Sequence, residues 1–595
     1  MLAISTNVPR RPEVSSGRRR SAGKYFARIG FGAAGDPASL LAGVGGYPHM
    51  RFAAIGLICL VFLAMAPAVQ AANSALYVVR YDHWSDDDER QYRDFVAAIG
   101  EDSCVTVDAC LHSGANPYRM TDPPGTVFGS DCADLPYVLR FYFAWKRGLP
   151  FSYEDAVTPI GAAADVRYSP GGNAVTSRHD VPGGVLTGYA IIDRMRDEVS
   201  SASFRIHPDF DSPLVPDTYS PAIDPRSIRP GTLIYDPNGH LAIVYRVDSD
   251  GRIHYFDSHP DYTLTRTVYD VRFTRAVPGA GAGFKNWRPQ VLVGATRKPD
   301  GTLIGGHIEL PRNAQIPDFS DEQFFGNGER PDDANWASGL FTLNGERMAY
   351  YDYVRAKLAG GQLVFDPVKE LHEMVLSNCS DLRYRVLAVD VAVAAGIQKQ
   401  SEPNRLPLNI YGTEGDWETF SSPSRDARLK TAFKETRDSV ERFVEMYERG
   451  GDPHLHYMGD DMVGEMIATY DRDTAACTIS YTRSDGSRVT LGYEEARRRL
   501  FAMSFDPYQC VERRWGATDA AELSTCADGA AKQAWYAAEQ NLRNQIDRTY
   551  EARMDFTLGE LSVPGPGKGA AEPPETDVRA YLQRVRAARP GVVVG

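Results

Sequence analysis

The sequence predicts an α+β fold in which a helix packs on an antiparallel sheet, followed by a mainly α-helical domain. An apolar helical pattern ends at Arg147, where Gly148 and Pro150 stop it. Runs rich in β-forming residues alternate with turns between 232 and 257. Beyond residue 312 the spacing becomes helical, in the segments 346–359, 366–377, 425–449, 493–505 and 529–556.

The length and charge of the chain limit its organisation and its partners. A chain of 595 residues is too long for one compact core, so we expect at least two domains. We place the first domain at 73–312 and the helical domain at 313–562, with a linker and a charged tail at 563–595. The formal net charge of −13 argues against a nucleic-acid partner.

An apolar run within 50–71 has the layout of a secretory signal peptide. One arginine precedes the apolar stretch, and small residues follow it where a signal peptidase cleaves. We interpret residues 1–49, rich in Arg and Gly, as a leader or an overcalled start. The alternative for 50–71 is an uncleaved membrane anchor. A cleaved signal predicts a periplasmic or secreted protein. Contact with a membrane is expected only if the signal stays uncleaved.

The cysteine count agrees with export. Eight cysteines are present, and Cys59 lies in the signal peptide, so seven remain. Cysteines of exported proteins usually form disulfides, and an odd number leaves one thiol over. The pairing we predict leaves Cys132 free. The predicted pairs are Cys104 with Cys110, Cys510 with Cys526 and Cys379 with Cys477.

Local patterns predict the remaining elements of the first domain. Residues 75–80 read as a strand, and Ser85 caps a helix that runs to about Ile99. Another helix is expected over 184–200. The predicted strands that follow are 232–236, 240–247, 252–257, 267–275 and 289–294.

Cys132 lies at the start of the predicted apolar helix. The N-terminus of a helix has unpaired N–H groups and a partial positive charge, which lower the pKa of a thiol and stabilise an oxyanion. Pro136 is tolerated only in the first turn, so the helix cannot begin far before Cys132. We therefore predict a nucleophilic thiol whose own backbone N–H donates to the oxyanion.

His240 and Asp257 complete a catalytic set. His240 is the first residue of one predicted strand, and Asp257 is the last residue of the next. A turn near 248–251 brings the two positions to nearly the same level, and strand alternation lets both side chains face the same way. A thiol nucleophile, an imidazole base that later acts as an acid, and a carboxylate that orients the imidazole are what acyl transfer needs.

Three motifs carry a resemblance to a known family. The chain reads Asp-Cys-Ala-Asp-Leu at 131–135, Pro-Gly-Thr-Leu-Ile-Tyr at 230–235 and Gly-His-Leu-Ala-Ile-Val at 239–244. This order resembles the NlpC/P60 branch of the papain-like cysteine hydrolases, which carries Asp-Cys-Ser-Gly and Pro-Gly-Asp-Leu, then Gly-His-Val-Gly-Ile, at the corresponding places. The resemblance covers about residues 118–260. It implies a papain-like fold and a cell-wall peptidase or related amidase.

The chain departs from that family in spacing and in the third residue. Cys132 and His240 are 108 residues apart, which is longer than usual, and Asp134 replaces a small glycine. His254 matches the usual third residue by its offset from the base, whereas Asp257 resembles the aspartate of transglutaminase-like relatives. The strand register favours Asp257, and His259 is a further alternative.

These observations predict an exported cysteine hydrolase that cleaves an amide or isopeptide bond through a thioester, with a peptide or peptidoglycan as substrate. One alternative is a transglutaminase-like acyl transferase, and another is a non-catalytic envelope protein that binds or scaffolds. We expect no cofactor and no metal. His454 and His456, with Asp460 and Asp461, are interpreted as a polar loop because no further ligand is suitably spaced.

Overall fold

The computed structural model describes residues 75–588, except 164, 272–274, 412–414, 421, 547–548 and 551. The leader and the signal peptide predicted at 1–49 and 50–71 lie outside the described residues. The described residues all belong to one unit, 65–595. Each helix among them is too short or too polar to span a membrane.

The strands form one six-stranded sheet and five two-stranded sheets within the described chain. They are β1 (Ser152–Pro159), β2 (Asn173–Asp180), β3 (Thr218–Tyr219), β4 (Leu233–Tyr235), β5 (Leu241–Val247), β6 (Ile253–Ser258), β7 (Leu264–Val268), β8 (Gly283–Trp287), β9 (Val291–Val293), β10 (Thr296–Arg297), β11 (Leu303–Ile304), β12 (His307–Glu309), β13 (Phe341–Leu343), β14 (Glu346–Met348), β15 (Thr478–Thr482) and β16 (Arg488–Gly492).

Most of the helices lie in the second half of the chain. The helices are α1 (Asp86–Glu101), α2 (Val107–His112), α3 (Asp134–Arg147), α4 (Gly188–Glu198), α5 (Glu322–Phe325), α6 (Tyr350–Leu358), α7 (Pro367–Ala394), α8 (Gly415–Phe420), α9 (Ser422–Arg449), α10 (Met462–Ala475), α11 (Tyr493–Arg499), α12 (Val511–Arg514), α13 (Ala520–Leu523), α14 (Ala530–Ala538), α15 (Gln540–Asn544), α16 (Leu558–Leu561) and α17 (Val578–Ala588).

The central sheet is antiparallel, with the strand order β3-β8-β4-β5-β6-β7. β5 and β6 are joined by the turn at 248–251, and Ile243 lies opposite Phe256 in their register. The predictions of a mixed α and β fold, an antiparallel sheet and a helical region are confirmed.

Both faces of this sheet are buried. Leu241 and Ile243 of β5 pack into a core shared with α1 and α3. Ala242 and Val244, which alternate with them, pack into a second core shared with α6. Because both faces are covered, β5 reads as a nearly continuous apolar run rather than as an alternating one.

Helix α3 is defined by its two ends. The carboxylate of Asp131 accepts hydrogen bonds from the N–H groups of Ala133 (2.9 Å) and Asp134 (3.2 Å), which are otherwise unpaired at a helix start. Gly148 ends the helix in the left-handed region at φ +72°, as the sequence predicts. The predicted apolar face is buried, and its residues are Leu135, Val138, Leu139 and Tyr142.

Several elements differ from the prediction. Residues 75–80 are extended but form only the isolated bridge of Leu76 with Thr187, so the predicted strand is wrong. The β1–β2 hairpin and the β15–β16 hairpin were not predicted. The predicted tail contains α17, whose Val578 and Leu582 are buried in the core of the helical half. Burial against a partner element, which local patterns do not report, decides these cases.

The three disulfides are those predicted. Cys132 is the one free cysteine in the described chain. The Cys379–Cys477 disulfide joins α7 to the residue before β15, and 98 residues separate its two cysteines. The disulfides are Cys104–Cys110, Cys379–Cys477 and Cys510–Cys526.

We expect removal of the long-range disulfide to cost the most stability. In the chain-entropy account, a disulfide that closes a loop of about 100 residues contributes about 4–5 kcal/mol, and one that closes about 15 residues contributes about 3 kcal/mol. The free energy of unfolding, measured by urea denaturation, should therefore fall further for Cys379→Ala/Cys477→Ala than for Cys510→Ala/Cys526→Ala. The reverse order would show that strain or residual structure, rather than loop length, sets these contributions.

Candidate active site

Cys132 lies one residue before the N-cap of α3, which is Ala133. The hydrogen bonds from Ala133 and Asp134 to Asp131 hold this turn in place. The thiol is unpaired and half-buried. It lines a cavity of about 140 Å³, which His240 also lines. The structure therefore places the predicted nucleophile and the predicted base at one cavity.

The environment of Cys132 favours the neutral thiol. Burial raises the pKa of Cys132 well above its ordinary value, and the negative charge of Asp131 raises it further, although the backbone N–H of Leu241 opposes them. The expectation of a lowered thiol pKa is wrong for this conformation. Loss of hydration and nearby carboxylates outweigh the partial positive charge of the helix N-terminus.

His240 is held at the end of the sheet by the turn that precedes it. We predicted His240 as the first residue of a strand, but it lies one residue before β5. The N–H of Asp236 donates to the carbonyl of His240 at 2.8 Å, and Gly239 adopts φ +89°. A residue with a side chain is strained at that angle, so glycine suits the turn.

His240 and Asp257 are hydrogen-bonded. Nε2 of His240 donates to Oδ2 of Asp257 at 2.5 Å. The side chains of His240 and Asp257 are therefore close together, as the strand register predicted. A proton held on Nε2 by the carboxylate leaves Nδ1 as the nitrogen that can accept a proton.

Asp257 is fully buried, and its carboxylate accepts hydrogen bonds from several side chains. The hydroxyl of Thr265 donates to Oδ1, and Nη1 of Arg428 donates to Oδ2 at 2.7 Å. Burial opposes ionisation, yet Arg428 and His240 hold the pKa of Asp257 well below its usual value. The carboxylate is therefore charged at neutral pH.

The two alternatives for the third residue are placed differently. His254 is hydrogen-bonded to Asp248 at 2.8 Å, near the turn at the other end of β6. His259 stacks on His240 with 5.6 Å between ring centroids, and its Nε2 lies 3.7 Å from Oδ2 of Asp257. Among the described residues, Asp257 is the carboxylate that hydrogen-bonds to His240.

Sequence reasoning missed Arg428. This residue belongs to α9, 171 positions beyond Asp257, in the half of the chain to which we assigned no part in the site. It also lines the cavity of Cys132. The sequence held an indication of this role, because the spacing of Arg425 and Arg428 places them on the same face of α9 as the buried residue Leu429. Cations on such a face require acidic partners from elsewhere in the fold.

We expect Arg428→Gln to raise the pKa of His240. Burial and the positive charge of Arg428 lower this pKa, whereas the bond to Asp257 raises it. Removing the guanidinium charge leaves the attraction of Asp257 for an imidazolium unopposed. The pKa can be followed by NMR titration of the His240 ring.

Lys434→Gln is the matched control for that titration. Lys434 also lies on α9 but pairs with Asp438 on the same helix. His240 should titrate in this variant as in the wild type. An unchanged or lowered His240 pKa in Arg428→Gln would contradict the electrostatic role of Arg428.

The helical half closes one side of the cavity. Glu418 of α8 pairs with Arg167 at 2.5 Å, and both residues line the cavity. Tyr550 stacks on Tyr168 with 3.8 Å between ring centroids. The walls therefore come from segments distant in sequence.

The described residues offer one group with the proximity of metal ligands, Cys510, Glu512 and Cys526. Its two thiols form a disulfide and so cannot act as thiolate ligands. His454 is hydrogen-bonded to Glu346 at 2.8 Å.

The chain was also compared with known proteins. No family model matches it, and neither the curated proteins nor the solved structures gave a match. An assignment of function therefore depends on the chemistry of the site itself.

Proposed function

We propose that the protein is an exported cysteine hydrolase that cleaves an amide or isopeptide bond through a thioester. One observation carries the proposal. The free thiol of Cys132 lines the same cavity as His240, whose Nε2 is bonded to the buried carboxylate of Asp257. A thiol, an imidazole and an orienting carboxylate are the groups that thiol-based acyl transfer requires.

In the proposed first step, Nδ1 of His240 accepts the thiol proton of Cys132 as the sulfur attacks the carbonyl carbon. Because the thiol pKa is raised, the proton leaves during the attack rather than before it. The new S–C bond pushes the carbonyl electron pair onto oxygen. The imidazolium then gives its proton to the leaving nitrogen, the C–N bond breaks, and a thioester remains.

The second step repeats this chemistry with water. His240 takes a proton from a water molecule, which attacks the thioester carbon. The C–S bond breaks, the acid product leaves, and the proton returns to the sulfur of Cys132. Asp257 keeps the His240 proton on Nε2 throughout, so Nδ1 serves both steps.

The oxyanion of each step needs a donor near the sulfur. In the described chain, the backbone N–H of Cys132 donates to no protein acceptor. It lies at the N-terminus of α3, where the helix dipole favours negative charge. We assign this N–H as one oxyanion donor.

The resemblance to NlpC/P60 enzymes favours a papain-like arrangement and a cell-wall peptide as substrate. A helix that follows Cys132 packs on an antiparallel sheet, and His240 directly precedes strand β5 of that sheet, which agrees with that arrangement. Three disulfides fit an oxidising compartment such as the periplasm. The small cavity volume of about 140 Å³ favours a short flexible peptide over a folded protein.

Digestion of purified wall sacculi tests the proposal. The wild type should release peptide fragments that mass spectrometry identifies by the bond cleaved, and Cys132→Ala should release none. Cys132 takes part in no disulfide, so this variant is expected to fold. Equal release by the two proteins would exclude the thiol mechanism. Release by neither, with Cys132 inert to iodoacetamide, would favour a non-catalytic binder.

A further inference from the structure

A second cavity lies between helix α1, the turn before β4, the end of β8 and the segment 311–318. Its volume is about 360 Å³, compared with about 140 Å³ beside Cys132. Within the described chain the two cavities share no lining residue. A ligand here would therefore leave the thiol unobstructed.

Two arginines in the wall of this cavity form no ion pair with a described carboxylate. The guanidinium of Arg93, on α1, forms no hydrogen bond or ion pair with a described residue. Nη1 of Arg229 donates to the backbone carbonyl of Arg226 at 2.8 Å, and no described carboxylate pairs with it. Burial and the nearby charge of Arg229 lower the pKa of Arg93, and the carboxylates of Glu89 and Asp94 oppose this only in part. Two cations that repel each other favour an anion between or beside them.

Two further polar groups in the wall are buried beside each other. The hydroxyl of Tyr92, whose side chain is 2 % exposed, lies close to the side chain of Trp287. Neither this hydroxyl nor Nε1 of Trp287 makes a hydrogen bond of good geometry within the described chain. An indole N–H can only donate. An acceptor on a ligand can therefore offer this N–H a better-aligned hydrogen bond than the hydroxyl of Tyr92 does.

The acidic residues of the wall are already engaged or face solvent. Glu89 accepts both terminal nitrogens of Arg140, at 2.9 and 2.5 Å. The carboxylate of Asp318 accepts the hydroxyl of Tyr219, with its oxygens at 2.8 and 2.9 Å. Asp86 is exposed. The groups left without partners are therefore mainly donors, which suit a ligand rich in acceptors.

We propose that this cavity binds a small ligand through a carboxylate or phosphate group. The forked donors of Arg93 and Arg229 pair with the oxyanion, as arginine does with both groups. Nε1 of Trp287 supplies a further hydrogen bond. The rings of Tyr92, Tyr219 and Trp287 provide a flat apolar wall for a ring on the ligand.

Calorimetric titration of the full-length wild type with matched probes tests this site. Phenyl phosphate and benzoate carry the two anions on the same ring, and benzyl alcohol is the uncharged probe. We expect an anion to bind at least about tenfold more tightly than the alcohol, about 1.4 kcal/mol. Tighter binding of phenyl phosphate identifies a phosphate site, and tighter binding of benzoate identifies a carboxylate site.

Variants assign the binding to the named groups. Arg93→Gln and Arg229→Gln should each weaken anion binding by about tenfold. Trp287→Phe keeps an aromatic ring but removes the donor, and it should also weaken binding. Arg90→Gln is the matched control, because Arg90 is an exposed residue of α1 that pairs with Asp87.

The proposal is overturned if neither anion binds, if benzyl alcohol binds equally well, or if Arg93→Gln and Arg229→Gln bind like the wild type. These outcomes are independent of the chemistry at Cys132. The same titration can be carried out on Cys132→Ala, where it should give the wild-type result.

Discussion

His240→Ala is expected to lower hydrolysis of wall peptides by about 10²–10⁴-fold, the usual contribution of a general base. The variant removes the acceptor for the Cys132 proton, and the thiol pKa is already raised in the wild type. Alkylation of Cys132 by iodoacetamide at neutral pH should slow as well, because the thiolate is the reactive form. This second measurement requires no knowledge of the substrate.

His254→Ala is the matched control. His254 lies in β6 and is hydrogen-bonded to Asp248, with no bond to His240. Activity and alkylation should stay close to the wild-type values. Equal losses in both variants would mean that damage to the sheet, rather than loss of a base, explains the result for His240→Ala.

Asp257→Ala is expected to lower the free energy of unfolding by about 3–5 kcal/mol, as when a buried ion pair loses one partner. The side chain of Asp257 is 0 % exposed and that of Arg428 is 20 % exposed. The variant leaves the guanidinium of Arg428 without its acceptor, and Thr265 and His240 also lose theirs. Urea denaturation at neutral pH measures the loss.

Two comparisons separate this effect from a general surface effect. Asp438→Ala removes an acid that pairs with Lys434 on the surface of α9, and we expect it to cost no more than about 0.5 kcal/mol. Adding Arg428→Met to Asp257→Ala should restore part of the lost stability, because the uncompensated charge is gone. A double variant less stable than Asp257→Ala would contradict the ion-pair explanation.

The difference in the free energy of unfolding between the wild type and Asp257→Ala should depend on pH. The folded-state pKa of Asp257 lies well below the value of 3.8 expected for an unfolded chain. The stability that ionised Asp257 supplies is therefore fully present above pH 3.8 and is lost as the pH falls below it towards the folded-state pKa. The difference between the wild type and Asp257→Ala should shrink over that acidic range.

Local sequence patterns predicted those parts of the fold whose determinants are close together in the chain. Ser85 accepts a hydrogen bond from the N–H of Asp88 and caps α1, as expected from an N-cap serine followed by acidic residues. The turn at 248–251 joins β5 and β6 and brings His240 to Asp257. Capping and turn formation depend on neighbouring residues, so they can be read from the chain directly.

Contacts between distant segments were not predictable in this way. No strand was predicted over 283–287, yet β8 occupies an interior position of the sheet between β3 and β4. The ionisation of Asp257 depends on Arg428, which no local pattern connects to it. The raised pKa of Cys132 depends on burial that several chain segments produce together.

The sequence by itself determined which residue types lie at helix starts and strand ends, and so which thiol, imidazole and carboxylate could meet. Hydrogen bonding of caps and turns and the alternation of strand side chains are local, which is why this information survives in the linear chain. Only the tertiary structure decided the electrostatic state of those groups. The cost of burying a charge depends on every atom around it, and here α9 supplies the decisive cation.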